Sequence, residues 1–213
     1  MDMTDESYAR INWFAIVAQD ERLNAKAMAG PRQIIGNLAA SLNAEKRTSP
    51  HFDSINARVD ADLLGRLPSA ESVKPLIGLL TRTSGDDIEL IHTARMALRD
   101  CLVSTGGYAA AEKFLASNPE YADKVADVSL GAKTPEAAEF LLGHLGRTKL
   151  QGARSGEFLR HAVLSLPPEK LGAIAGLIEN IKDAPLPQRL SVADNLAQAY
   201  RQRGLPLPDA ITA

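Results

Sequence analysis

From Ile88 to Leu102 the apolar positions recur at helical spacing: Ile88, Leu90, Ile91, Ala94, Ala97, Leu98, Cys101 and Leu102. At about 100° per residue they cover roughly half of a helical cylinder. That is wider than a helix lying on a single surface needs. It predicts a helix packed both on its own hairpin partner and on a neighbouring hairpin. Asp87, Glu89, Thr93, Met96 and Asp100 take the other side. Ser84-Gly85-Asp86 breaks the preceding apolar run, and Asp86 with Glu89 three residues on predicts a capping box. Residues 69–104 thus form two apolar-faced helices joined by a Gly-Asp turn.

The first helix of this hairpin recurs along the chain. Residues 31–42 (PRQIIGNLAASL), 69–80 (SAESVKPLIGLL), 134–145 (TPEAAEFLLGHL) and 167–178 (PPEKLGAIAGLI) align by position. The third position is Gln33, Glu71, Glu136 or Glu169, which suits a first turn. The eighth is Leu38, Leu76, Leu141 or Ile174, and the twelfth Leu42, Leu80, Leu145 or Ile178. The tenth is small, as Ala40, Gly78, Gly143 or Gly176, and predicts close helix approach there. Offsets of 38, 65 and 33 residues, with 65 near two units, signal a helical repeat. Partner helices follow at 53–67, 86–104, 154–165 and 187–203. A divergent hairpin broken at Asn118-Pro119 fills 106–131.

About ten helices in five hairpins result, with no strand. The expected fold is all-α, a right-handed α-α superhelix formed as one domain over 1–213. Within it, 1–30 form an N-terminal helical cap, 31–204 the repeats and 205–213 a tail after Gly204. Leu76, Leu80, Ile91, Leu98, Leu141, Leu145, Ile174 and Ile178 are the expected core. In the cap, Tyr8, Ile11, Phe14 and Val17 keep helical spacing, with Trp13 and Phe14 closing the end of the core.

Composition narrows the function. Hydrophobic residues make up 45%, charged 23% and aromatic 5% of 213 residues, which favours close-packed helices. A net charge of −2 supplies no global basic face and argues against nucleic acid as a partner. One cysteine, Cys101, excludes an intrachain disulfide, and its place on the apolar arc predicts a buried, inert thiol. No run reaches membrane-span length, and WFAIVA at 13–18, followed by Gln19-Asp20-Glu21, fails as a secretory signal. The chain is expected to be soluble, cytoplasmic if complete and exported if a piece of a larger exported protein.

No H-E-x-x-H, phosphate loop, G-x-S-x-G or C-x-x-C occurs, so no catalytic residue, metal ligand or cofactor is assigned. His92, Arg95 and Arg99 line one border of the 86–104 arc and form the candidate binding stripe. The alternative is that the arginine stems only cover apolar surface. His144, Arg147, Lys149, Arg154, Arg160 and His161 make a modest basic patch, which a solvated inter-helix loop explains. Glu157 and His161, one turn apart, are expected to form a surface pair.

Pro75 in a first helix and Arg99-Asp100 in a second resemble the HEAT-like class of armadillo-type repeats, over about 31–203. IHTARMALRDCL (91–102) is similar to segments in HEAT-like regions of large multidomain bacterial haem-binding proteins. The chain lacks their C-x-x-C-H, so haem attachment does not carry over. The resemblance implies a non-enzymatic scaffold that binds a protein partner or a neighbouring domain of a larger chain. HEAT-like DNA glycosylases and bilin lyases provide the enzymatic alternative. A glycosylase of that kind calls for a basic, aromatic-lined groove with a carboxylate, whereas this chain is slightly acidic with one tryptophan.

Overall fold

The computed structural model describes residues 33–40, 50–148, 154–179 and 184–208, with side chains from Ser54 onward in the second of these segments. All regular structure among them is helical, and no strand occurs. The expected cap at 1–30 lies outside the described residues, as do residues 43–49 of the polar connector expected at 43–52, whose last three residues belong instead to a helix. The chain divides into two compact units, Met1–Tyr121 and Ala122–Ala213. No helix among the described residues is long and apolar enough to cross a membrane.

The first unit contains α1 (33–40), α2 (Pro50–Arg66), α3 (Val73–Arg82), α4 (Ile88–Val103) and α5 (Gly107–Leu115). Ser69 starts a 3-10 turn by accepting from the Glu71 amide at 3.3 Å, and α3 follows directly. Pro75 is tolerated because it lies in the first turn, where its missing N–H has no intrahelical acceptor. The cap of α4 is Asp87, not Asp86: its carboxylate accepts from the Leu90 amide at 3.1 Å and from the Ser54 hydroxyl of α2. The tertiary contact to Ser54 adds a second donor at Asp87, a choice local spacing does not encode.

As the wide apolar arc predicts, α4 packs on both α3 and α2. Against α3 it is antiparallel, since Ala70 at the start of one lies near Gly106 past the end of the other. Against α2 it is parallel. Ser54 meets Asp87, Arg58 pairs with Glu89, and Cys101 Sγ lies 3.6 Å from the Leu64 carbonyl oxygen. A Cβ on Gly65 would come within 3.1 Å of the Ala97 Cα, so these two helices touch nearly backbone to backbone. The α4–α5 turn needs glycine twice. Gly106 has φ 78°, and a Cβ on Gly107 would lie 2.2 Å from the Cys101 carbonyl oxygen.

The second unit contains α6 (Ala122–Ser129), α7 (Pro135–Thr148), α8 (Ser155–Ser165), α9 (Gly172–Ile178) and α10 (Leu186–Gln202). Two pairs again run parallel. Glu139 of α7 pairs with Lys170, 31 residues on, just ahead of α9, and Gly146 faces Leu177. Gly156 of α8 lies against Asn195 and the Ser191 carbonyl of α10, while Arg203 donates to the carbonyls of Val163 (2.6 Å) and Leu166 (2.7 Å). Gly204, at φ 66°, closes α10 as expected.

Seven of the eight expected core positions are buried, whereas Ile91 is half-buried. The small tenth position does not serve close approach. Nothing lies within 4 Å of a Cβ on Gly176, and at Gly78 and Gly143 only the arginine four residues on, Arg82 or Arg147, comes near. Close approach falls instead on Gly65 and Gly156, in the second helices.

Candidate functional site

In α4 the buried side chains are Leu90, Ala94, Ala97, Leu98, Cys101 and Leu102. Ile88, assigned by its apolarity to this arc, stands about 120° from its middle at 100° per residue and is 74% exposed. Hydropathy alone cannot distinguish a first-turn isoleucine that nothing covers from one that is covered. Its exposure changes the character of the stripe. Ile88, His92, Met96 and Val103 are exposed and follow one another along one edge, with Arg95 and Arg99 on the same edge, both half-buried.

His92 is exposed, and Arg99 is held in place. Its Nε and Nη2 donate to Asp100 Oδ1 at 2.8 and 2.7 Å, and Nη1 lies 3.4 Å from Met96 Sδ. A fixed, planar guanidinium laid over an exposed thioether presents a mixed apolar and cationic surface. Ile55 of α2, also exposed, follows Ser54 and so lies at the same end of the α2–α4 pair as Ile88.

In the basic patch of the second unit, Arg147 and Arg154 are exposed, whereas the two histidines are withdrawn from solvent. His144 is 4% exposed, with Nε2 3.3 Å from Asp123 Oδ1 of α6 and its ring edge-on to Phe158 of α8 at 5.8 Å. Arg154 covers the Phe158 ring and pairs with Asp127 and Glu157. Glu157 thus goes to Arg154 rather than to His161. His161 is half-buried and donates instead to the Ala132 carbonyl in the α6–α7 turn. Burial pushes both imidazoles below their ordinary value of 6.5. The Asp123 carboxylate opposes this at His144, and the Ala132 carbonyl at His161. Lys149 lies outside the described residues.

No family model, curated protein or solved structure matches the chain.

No group of three or more His, Cys, Asp or Glu among the described residues is placed to hold a metal ion. Asp62, whose spacing from Asp60 argues for solvation, pairs along its own helix with Arg66 at 2.8 Å. Sequence reasoning placed Met96 opposite the apolar arc but missed the exposure of Ile88 and the burial of His144. The signal for the second was present: His144 sits between Leu141 and Leu145 on the apolar face of α7.

Proposed function

We propose that the chain is a HEAT-like helical-repeat scaffold, with no reaction of its own, that binds a protein partner or a neighbouring domain of a longer chain. The observation that carries this is the parallel pairing of like helices at one-repeat offset, α2 with α4 in one unit and α8 with α10 in the other. Stacking of that kind is how helical repeats build a continuous core and leave an extended face for binding. The binding edge is His92, Arg95 and Arg99 together with Ile88, Met96 and Val103. A mixed apolar and guanidinium surface is the composition that partner-binding hot spots favour.

The test compares capture of a partner from the native host by the unmodified chain and by an Arg95→Ala/Arg99→Ala variant. A photo-crosslinker at position 92 identifies adducts, with position 113 on α5 as control. The double variant should keep its helical circular dichroism and lose the adduct, each lost charged contact weakening affinity by about 1–3 kcal/mol. An adduct equally strong from both positions, or unchanged in the double variant, places the interface elsewhere. Base release from alkylated DNA by the unmodified chain would replace the scaffold with an enzyme.

A further inference from the structure

Two histidines in the second unit are built into the α6–α7–α8 layer in a way that neither packing nor solubility calls for. His144 projects from α7 and touches α6 through Asp123 and α8 through Phe158. His161 projects from α8 and ties it to the α6–α7 turn through Ala132. Each ring uses one nitrogen in that contact. The other, His144 Nδ1 or His161 Nε2, is buried and has no hydrogen-bond partner among the described residues.

A neutral imidazole carries one donor and one acceptor nitrogen, so this arrangement suits the neutral ring. A second proton would create a buried N–H with no acceptor, together with a desolvated charge. The surroundings do little to offset that. Asp123, the carboxylate that faces His144 among the described residues, is 87% exposed, so water screens its attraction. Arg147 on α7 opposes a charge on His144, and Lys133 opposes one on His161. From α8, Arg154 adds a further cation and is itself paired with Asp127 and Glu157. Of the other helices in contact, α9 is preceded by Lys170, paired with Glu139, and α10 is followed by Arg203, bound to carbonyls of Val163 and Leu166.

We propose that the α6–α7–α8 layer is an acid-operated latch, closed while His144 and His161 are neutral and loosened when they take up protons. The device stands apart from the scaffold reading. The direction follows from linkage. Both rings titrate below 6.5 in the folded chain, so the stability they permit is full above pH 6.5. It is lost as pH falls from 6.5 through the folded values, because the open state binds protons first. The first unit has no such pair among its described side chains, where His92 is exposed.

Amide hydrogen exchange of the full chain, corrected for intrinsic rates, tests this between about pH 7.5 and pH 5.5. Amides of α6, α7 and α8 should lose protection by roughly fivefold or more relative to those of α2 and α4, the ratio a modest local destabilisation produces. A His144→Phe/His161→Phe variant should abolish that difference. Equal loss in both units, or a difference that persists in the folded double variant, overturns the latch. If the double variant does not fold, the imidazole resonances of the unmodified chain decide. Titration below 6.5 supports the latch, and titration at or above 6.5 overturns it.

Discussion

Cys101 shows how far a single residue can be judged from its neighbours in sequence. Its place among Leu98, Ala97 and Leu102 predicts burial, and the thiol is fully buried, with burial raising its pKa to about 11. The thiolate is the reactive species, so under native conditions near neutral pH a thiol reagent should label Cys101 slowly. Labelling should accelerate to the rate of a free thiol in denaturant. Fast labelling of the folded chain would contradict the packing of α4 on α2 and α3. Single-residue reasoning fails where a tertiary contact decides. Asp86 and Asp87 are both acceptable caps by type, and the Ser54 hydroxyl reaches only the second. Replacing Asp87 by Ala should therefore cost about 1 kcal/mol in chemical denaturation, while Asp86→Ala should change little. Equal losses would mean the cap is shared.

Helix positions were legible because period 3.6 and its breakers are local properties. The partner helices expected at 53–67, 86–104, 154–165 and 187–203 appear as α2, α4, α8 and α10 within a few residues. The break at Asn118-Pro119 separates α5 from α6. Which face each helix turns to which neighbour was less legible, and the glycines show why. A small residue permits close approach but does not require it. At Gly176 of α9 nothing is near, so Gly176→Ala should stabilise the protein by about 0.5–1 kcal/mol through helix propensity. At Gly156 of α8 a Cβ would stand 2.7 Å from Asn195 Nδ2 and 3.2 Å from the Ser191 carbonyl. Gly156→Ala should therefore lose about 1–3 kcal/mol as α10 shifts. Thermal melts of the two variants moving the same way would remove the distinction between the two faces.

Across the whole molecule, one sequence separation recurs. Arg58–Glu89 and Glu139–Lys170 each span 31 residues, one in each unit, and tie together neighbouring elements. The candidate site was legible in its charged residues and in Met96, which falls opposite the apolar arc, while exposure of Ile88 and Val103 depends on what fails to cover them. The same short offsets bear on how the chain acquires its structure. The inter-helix bonds between parallel neighbours join residues 31 to 40 positions apart, so each becomes available once that short stretch has left the ribosome. Contacts this local close small loops and favour rapid folding. Structure can thus accumulate from the N-terminal side at the pace of translation, each new helix docking on one already in place.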